Sequence, residues 1–318
     1  MRLSAQRACH FDVNTYSVLP WRPNILSMSQ SPYTNEHLSR LAKGLVFALV
    51  AILLAISSAM AAPKSKLWLR WEAHDPTSQI VIDHGSWSRL LSVYTHPAED
   101  GVTRFDYAGL AGADRPALDA YIAQLAGTPV GLLNRDEQLA YWINFYNALT
   151  VQVVLDHYPV SSILKINVSP GFFAIGPWGK KLVTVESEAL SLDDIEHRIL
   201  RPIWQDPRIH YGVNCASIGC PNLLPVAYTS ATVDRLLTEN AIAYVNHPRG
   251  VYFQGGALWV SNIYDWFQED FGNSETGVLA HLREFAAPDL KARLRLVLDI
   301  GGYDYDWSLN AATDEATR

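Results

Sequence analysis

The chain contains few cysteines and few basic residues for its length. Three cysteines in 318 residues are too few for a scaffold built on disulfides. Lysine and arginine number 25 against 32 aspartates and glutamates, a net charge of −7, which argues against a surface that binds nucleic acid or anionic membranes. Charged residues make up 18% of the chain and hydrophobic residues 49%, a composition typical of a folded globular protein rather than a disordered one.

One apolar segment stands near the beginning of the chain. Residues 44–60 contain no charge, Arg40 and Lys43 precede them, and residues 59–61 read Ala-Met-Ala. A basic region, an apolar core and small residues around a cleavage point are typical of a secretory signal peptide, and the alternative is an uncleaved anchor helix. We expect cleavage after Ala61, no membrane span after cleavage, and a periplasmic or secreted location.

The signal begins unusually late, since its apolar core starts 44 residues into the chain. Translation from Met28 would leave a conventional signal peptide, so we interpret residues 1–27 as a mis-assigned start. Beyond the leader the chain keeps only Cys215 and Cys220 and contains no methionine. Its net charge is more negative than that of the whole chain, because the leader carries a net positive charge. Such a chain suits an oxidising extracytoplasmic compartment.

The rest of the chain is predicted to form one domain, since neither a long-period repeat nor a linker rich in proline, glycine or serine divides it. The predicted boundaries are an entry segment at 62–85, the domain at 86–310 and a tail at 311–318. Helix signals outnumber strand signals and do not alternate with them. This pattern favours an α+β fold with a buried central helix and a small, mostly antiparallel sheet.

The shorter elements follow from apolar periodicity and turn residues, including the Gly255-Gly256 pair of a hairpin. Helices are predicted at 86–95, 116–126, 232–246, 264–270 and 276–285. Strands are predicted at 181–185, 208–213, 251–253, 258–260 and 294–299.

The central helix is predicted over 135–158. Asn134 can cap it, with Glu137 three residues later completing a capping box. The helix is apolar on nearly all sides, but Asn144 and Asn147 lie together on one of them. Buried amides need hydrogen-bond partners, so these two side chains either brace a loop or orient a catalytic histidine, as an amide does in papain-like sites.

A second helix is predicted after Ser191, with two aspartates in its first turn, where the helix dipole favours acids. Glu196 falls in the middle of its apolar stripe and His197 at the edge of that stripe. A buried acid must be paired, protonated or functional. Glu196 therefore either pairs with an arginine, Arg201 or Arg208, or takes part in catalysis.

Residues 208–221, RIHYGVNCASIGCP, carry the remaining cysteines together with a histidine, an asparagine and a serine. A Cys215–Cys220 disulfide is one interpretation, and a nucleophilic Cys215 is another. A thiolate needs a neighbouring base or positive field, which His210 or His197 could supply. A metal site built on the thiols and His210 lacks a clear fourth ligand, so we expect no metal and no cofactor.

Four stretches together resemble the family called domain of unknown function 547: RDEQLAYWINFYNALTVQVVLDHYPV, LSLDDIEHRILRP, DPRIHYGVNCASIGCPNL and YDWSLN. They occur in order and span most of the predicted domain. The family has no settled activity, although some plant relatives join the domain to a glutaredoxin-like or DEP domain. The resemblance implies a polar site, because the matching residues come from distant segments: Asn144, Asn147, Glu196, His197, Arg201, Arg208, His210, Asn214, Cys215, Ser217 and Cys220.

The first functional hypothesis is a cysteine hydrolase or acyl-transfer enzyme, distantly similar to papain and transglutaminase folds. Cys215 would attack a carbonyl, His197 or His210 would take the proton, and Glu196 or Asn144 would orient that histidine. The remaining polar residues of the site would bind an unknown small molecule or peptide: Asn147, Arg201, Arg208, Asn214 and Ser217.

The rival hypothesis is a non-catalytic envelope protein in which a Cys215–Cys220 disulfide staples a binding loop. A third, thiol–disulfide exchange, lacks the C-x-x-C spacing usual for that chemistry. The redox state of the two cysteines decides between the first two hypotheses, because a nucleophile requires a free thiol.

Overall fold

The computed structural model describes residues 63–171 and 174–312. The predicted leader, its cleavage site at Ala61 and the end of the predicted tail lie outside the described residues. Within the described part, helices predominate over short strands, which confirms the α+β class. None of the helices seen there has both the length and the apolar character that crossing a membrane requires.

The elements are short apart from one long helix. In the described residues the α-helices are α1 (Gly85–Tyr94), α2 (Tyr107–Ala113), α3 (Arg115–Ala126), α4 (Arg135–Leu155), α5 (Arg201–Trp204), α6 (Ile209–Gly212), α7 (Val233–Val245), α8 (Ile263–Trp266), α9 (Glu275–Phe285) and α10 (Pro288–Leu294). The strands are β1 (Thr95–Pro97), β2 (Thr103–Phe105), β3 (Val183–Val185), β4 (Glu188–Leu190), β5 (Val251–Gln254), β6 (Ala257–Ser261) and β7 (Gly302–Asp304). A π-helical turn, Asp194–Leu200, leads directly into α5.

Helix α4 is the buried central helix that the sequence predicts. The Asn134 side chain caps it by accepting a hydrogen bond from the Glu137 backbone N–H at 2.9 Å. Glu137 does not complete the capping box, because its carboxylate accepts the Ile82 N–H at 2.8 Å instead. From Glu137 to Leu155 every residue except Gln152 is buried, so polar side chains on this helix must find partners inside the protein.

Two hydrophobic clusters make up the interior. The larger surrounds α4 and includes Trp142, and the smaller lies around the β5–β6 hairpin, α7 and α9 and includes Leu282. The short helix α6 belongs to both, because Ile209 packs in the larger cluster and Tyr211 in the smaller. His210, between these two residues, is therefore placed at the boundary between the clusters.

The strands between residues 63 and 312 that the structure describes form three small sheets. β1 pairs with β2 and β3 with β4, both antiparallel, while β6 pairs antiparallel with β5 and parallel with β7. After β7 the chain runs along the segment 213–221, which we call the cysteine loop, and the Gly219 N–H donates to the Asp306 carbonyl at 2.8 Å. A Cβ on Gly219 would lie 2.9 Å from the Asp306 backbone nitrogen, so this close approach requires glycine.

Two of the predicted strands are wrong. Residues 208–213 contain helix α6 instead, and Ile209 and Val213 pack in the same cluster at helical spacing. Residues 294–299 follow the end of α10 without forming a strand. Leu296 and Leu298 are 85% and 90% exposed, so their alternation does not mark a buried face.

Residues 63–84 pack on the domain and support the π-helical turn. Trp71 is buried, and its ring centroid lies 5.1 Å from that of Trp142 on α4. The Lys66 N–H donates to the His197 carbonyl at 2.9 Å. The predicted entry segment is thus part of the framework that positions His197.

Candidate functional site

A cavity of about 320 Å³ lies where the two hydrophobic clusters meet. This volume is within the range of small-molecule sites. Aromatic and aliphatic side chains form most of its wall, and the polar groups come from the segments that the sequence singled out. The ionisable groups that line it are Tyr146, Asp193, Glu196, His197, His210, Cys215, Cys220 and Tyr305.

Glu196 and His197 reach the cavity from the π-helical turn. The sequence predicts an ordinary helix here, with Glu196 in the apolar stripe and His197 at its edge. Glu196 is buried as expected, at 6% exposed, but His197 is buried too, at 5%. The wider π turn places neighbouring side chains on one inner face, and such turns are frequent at functional sites.

His210 lies between two carboxylates. Its Nε2 atom is 2.6 Å from Asp270 Oδ2, and its Nδ1 atom is 3.6 Å from Glu196 Oε1. The imidazole also stacks on Phe267, with ring centroids 4.1 Å apart. Both ring nitrogens face acids, an arrangement that favours the charged imidazolium. Neither nitrogen is free to accept a proton from a thiol.

Arg201 completes this charged network from α5. Its Nε atom lies 2.5 Å from Asp270 Oδ2, and its second terminal nitrogen lies 2.5 Å from Glu269 Oε1. Among the described residues Glu196 pairs with His210 and with neither Arg201 nor Arg208, the partners in one of the two alternatives that the sequence left open. Opposite charges at short range offset the cost of burying each group.

The pKa values follow from this pairing. Burial alone would raise the pKa of Glu196, but the neighbouring imidazoles and Arg201 lower it to about 2. Burial likewise opposes ionisation of Asp270, yet His210 and Arg201 lower its pKa to about 2. Burial would lower the pKa of His210, but its hydrogen bond to Asp270 and the nearby charge of Glu196 outweigh that effect and raise it. At neutral pH Glu196 and Asp270 are therefore ionised, and both favour the charged form of His210.

The pKa values of His197 and Asp193 shift in the directions opposite to those of His210 and Glu196. His197 Nδ1 lies 3.1 Å from a guanidinium nitrogen of Arg201 and accepts from it, so the ring proton is on Nε2, which lies 3.6 Å from Asp193 Oδ1. Burial lowers the pKa of His197 to about 4. Burial, together with the charges of Glu196 and Asp194, raises the pKa of Asp193 to about 7. Asp193 can therefore gain or lose a proton near neutral pH.

Cys215 and Cys220 are both free thiols. Their Sγ atoms lie 2.9 Å apart, farther than the bonded sulfurs of a disulfide. Cys215 is partly exposed to the cavity, whereas Cys220 is buried. Cys215 Sγ also lies 3.1 Å from Ser217 Oγ and 3.0 Å from Tyr305 Oη, so a thiol and two hydroxyl groups surround it.

The two thiols differ in acidity. Burial would raise the pKa of Cys215, but hydrogen bonds with Cys220, Ser217 and Tyr305 outweigh burial and lower it. Burial and the adjacent Cys215 raise the pKa of Cys220 well above its ordinary value. Ionisation of the pair therefore places the thiolate on Cys215, the sulfur that faces the cavity.

The cysteine loop is held by amide side chains. Asn147 on α4 accepts the Asn214 N–H at 2.8 Å and donates to the Gly212 carbonyl at 2.9 Å. Asn214 Oδ1 in turn accepts the Ala216 N–H at 2.9 Å. Ala216, directly after Cys215, has a φ of 61°, a left-handed conformation that is strained for alanine. Strain of this kind concentrates at functional sites, where the surroundings maintain it.

Asn144 and Arg208 contact groups away from the thiol. Asn144 donates to the Tyr228 carbonyl at 2.7 Å and accepts the Tyr228 N–H at 3.0 Å, so it braces the segment before α7. Arg208 pairs with Asp206 at 2.7 Å and Asp234 at 2.8 Å and does not line the cavity. Of the two alternatives for Asn144, its contacts correspond to the loop brace.

The structure does not join a histidine to the thiol. Among the described residues neither His197 nor His210 makes a hydrogen bond to Cys215 Sγ, although all three line the cavity. The expected cysteine–histidine pair is therefore not formed. The partners of the sulfur are another thiol and two hydroxyl groups.

Three residues of the site were not predicted from the sequence: Tyr305, Asp193 and Asp270. Tyr305 begins the stretch YDWSLN, which carries the family resemblance, so its position in that stretch was an available signal. Asp193 was explained by the helix dipole alone. Asp270 has no local signal, because its partner His210 is 60 residues away in the chain.

A metal or an anionic cofactor would need suitable partners among the side chains of the cavity. Within residues 63–171 and 174–312, no group of three or more histidine, cysteine, aspartate or glutamate side chains is arranged to hold a metal ion. The described lining residues include no lysine or arginine, so the phosphate of an anionic cofactor would lack a charged partner there.

Residues 130–245 match the model of a family described as "Protein of unknown function, DUF547". The matched segment includes α4, the π-helical turn, α6 and the cysteine loop. The match supports the resemblance to domain of unknown function 547 over this part of the chain. Neither a curated protein nor a solved structure matches the chain.

Proposed function

We propose that this chain is an exported enzyme in which Cys215 attacks a carbonyl carbon, with hydrolysis or acyl transfer as the outcome. The setting of the Cys215 sulfur carries the proposal. It faces a cavity of about 320 Å³, has three hydrogen-bond partners, and has a lowered pKa. The thiolate is the nucleophilic form of cysteine.

The reaction needs one bond to form and one to break. Cys215 Sγ bonds to the carbonyl carbon, the bond from that carbon to the leaving group breaks, and the leaving group takes a proton. This proton comes from a water molecule, which becomes hydroxide. That hydroxide, or a second nucleophile that has given its proton to the hydroxide, then attacks the thioester and releases the Cys215 thiolate.

The charged network around His210 has a structural role in the proposed enzyme. His210 is held by Glu196 and Asp270, so it is not assigned as the base. The network maintains one part of the cavity wall, and the amides of Asn147 and Asn214 maintain the loop that carries Cys215. Precise support of this kind is what a reactive group requires.

Selective alkylation tests the proposal. Iodoacetamide is applied to the reduced protein at about pH 7, and labelling is located by mass spectrometry. Cys215 is expected to react faster than Cys220 by at least about tenfold, because it is exposed to the cavity and is the more acidic thiol. The Cys215→Ser variant should lose this label and the Cys220→Ser variant should keep it. Preferential labelling of Cys220 would contradict the proposal.

A disulfide between the two cysteines is a second candidate, favoured by the 2.9 Å between their sulfur atoms. It would make the loop a stapled binding element in a non-catalytic envelope protein. Thiol counting on protein isolated from its native compartment without reductant separates the candidates. Two titratable thiols support the nucleophile, whereas none would support the permanent staple and remove the nucleophile.

Export is proposed on the pattern of residues 1–61. The N-terminus of the mature protein, measured by mass spectrometry, is expected at Ala62. A mature chain that retains residues 44–60 would indicate an anchor instead. A peptide recovered from residues 1–27 in the precursor would contradict the start at Met28.

A further inference from the structure

The described wall of the cavity is rich in aromatic rings and contains no basic group except the already paired histidines. Trp178, Trp266 and Trp307 line it together with Tyr305. The ring centroids of Trp178 and Trp307 are 5.8 Å apart at 68°, and those of Trp266 and Trp307 are 5.3 Å apart at 32°. The rings pack against one another and together form an aromatic part of the cavity wall.

This aromatic surface is continuous with the nucleophile. The Tyr305 ring lies 4.7 Å from Trp307 and 4.9 Å from Trp266, measured between centroids. The hydroxyl of the same tyrosine lies 3.0 Å from Cys215 Sγ. A group held against the tryptophans is therefore next to the sulfur.

A carboxylate stands at the other end of the surface. The Asp193 N–H donates to the Trp178 carbonyl at 3.0 Å. Asp193 Oδ2 lies 3.6 Å from the position that a Cβ would take on Gly179, the residue after Trp178. The Asp193 side chain is 34% exposed, and its Oδ1 atom lies 3.6 Å from His197 Nε2. It is thus available to a ligand in the cavity.

The protein itself already uses one ring near the cavity to hold cations. Arg201 lies 5.0 Å from the Phe267 centroid, and His210 stacks on the same ring. In the described part of the chain, by contrast, no arginine or lysine lies over the three cavity tryptophans. Tryptophan faces attract cations more strongly than other rings do.

We propose that the cavity binds a weakly hydrated organic cation, a quaternary or N-methylated ammonium group, against Trp178, Trp266 and Trp307, with Asp193 as its counter-ion. This inference rests on the proposed function, since the cation would belong to the substrate whose carbonyl Cys215 attacks. An anionic substrate is disfavoured because the described wall offers it no free cation, and Glu196 adds a further negative charge.

Binding of such a cation depends on pH through Asp193. The charged and titratable groups that face Asp193 are Glu196, Asp194 and His197 on its own helix, and Lys181 from the segment before β3. Burial and the two acids raise the pKa of Asp193 to about 7, whereas that of His197 is about 4. The cation favours the ionised carboxylate, so affinity should rise about tenfold between about pH 6 and about pH 8.

The test compares choline with its uncharged carbon analogue, 3,3-dimethylbutan-1-ol, by calorimetry on the purified protein. The Cys215→Ser background removes any contribution from thiol ionisation. Choline is expected to bind at least about tenfold more tightly at about pH 8. Trp307→Leu should weaken choline binding by about tenfold, while Trp259→Leu, on strand β6 outside the cavity lining, should not. Asp193→Asn should weaken binding and remove its dependence on pH.

Equal binding of choline and the alcohol, or no binding of choline, would overturn the inference. Asp193→Asn keeps the shape of the side chain and so still decides the question if Trp307→Leu does not fold. The alkylation of Cys215 is measured separately on the wild-type protein. Rapid labelling without cation binding refutes the cation site alone, and cation binding without labelling refutes the nucleophile alone.

Discussion

Two parts of the cavity wall differ in their charges. In the charged wall, around His210, oppositely charged groups neutralise one another, whereas in the thiol wall Cys215 and Cys220 have only uncharged partners. His210 lies between Glu196 and Asp270, with both ring nitrogens directed at acids. Cys215 has hydroxyl partners such as Tyr305, which lower its pKa without carrying a charge. The acids beside His210 prevent it from acting as a base, whereas the uncharged partners of Cys215 leave its sulfur able to react.

The difference shows why polar residues in one cavity need not share one function. Sequence reasoning grouped His197, His210 and Cys215 because all are polar residues of matching motifs. In the structure the satisfied charges of the network offset one another and maintain the fold. The thiol wall carries the strained Ala216 and the partly exposed Cys215, features that are typical of a reactive site.

The largest expected effect comes from breaking the charged wall. His210→Ala would remove the partner of the buried Glu196 and leave Asp270 paired with Arg201 alone, and we expect a loss of about 3 kcal/mol in the free energy of unfolding. Urea denaturation at neutral pH measures it. The rate of Cys215 alkylation in the folded variant should stay close to that of the wild type, because His210 is not in contact with the sulfur.

His281→Ala is the matched control. His281 is also a buried histidine, but burial lowers its pKa to about 4 and its Nε2 bonds the Tyr211 hydroxyl at 2.7 Å. Its removal leaves no buried charge unpaired, so the loss should be smaller. Equal losses in the two variants would show that the carboxylates do not depend on His210. A selective fall in alkylation after His210→Ala would restore it as the base.

A smaller effect, opposite in sign, is expected at Asp193. Its pKa is about 7 in the folded protein and 3.8 ordinarily, so the folded state holds a proton that the unfolded state releases. Stability contributed by this group therefore falls as pH rises from about 4 to about 7. Asp193→Asn should stabilise the protein by about 2 kcal/mol at about pH 8, allowing for partial exposure, and change little at about pH 4.

The neighbouring Asp194 provides the control. Although burial opposes its ionisation, contacts with Lys181, Ser191 and Arg198 lower its pKa, so its stabilising contribution is present at neutral pH and lost as pH falls. Asp194→Asn should therefore destabilise the protein under the conditions in which Asp193→Asn stabilises it. Thermal unfolding across this pH range compares them. Two variants with the same sign would contradict the assigned pKa directions.

Local patterns in the sequence predicted much of the scaffold of this site. The apolar run and the Asn134 cap predicted α4, and the position of Glu196 in an apolar stripe predicted its burial. These features depend on residues a few positions apart, which periodicity and capping rules describe. The loop-bracing alternative for Asn147 also followed from the need of buried amides for partners.

The chemistry of the site depends on contacts that periodicity does not describe. His210 and Asp270 are 60 residues apart, and Cys215 and Tyr305 are 90 apart. Which distant segments meet depends on tertiary packing, such as the close approach of Asp306 to Gly219. The strand prediction for residues 208–213 was wrong for the same reason. Packing between the two hydrophobic clusters favours a helix there over the strand that the local pattern indicates.

The smallest expected effect concerns the thiol wall itself. Tyr305→Phe removes the hydroxyl that lies 3.0 Å from Cys215 Sγ and 2.9 Å from Ser217 Oγ. Loss of one hydrogen bond to the thiolate, worth about 1 kcal/mol, should raise the pKa of Cys215 and slow its alkylation at about pH 7 by about fivefold. The rate–pH profile should shift to higher pH, and the limiting rate at high pH should be unchanged or slightly higher.

Tyr252→Phe controls for the loss of a hydroxyl, because Tyr252 stacks on Trp259 in the β5–β6 hairpin and does not line the cavity. It should leave the alkylation profile of Cys215 unchanged. If Tyr305→Phe also leaves that profile unchanged, hydroxyl hydrogen bonds do not set the acidity of Cys215. The thiol wall would then be as inert as the charged wall, and the structural disulfide would become the better account of the two cysteines.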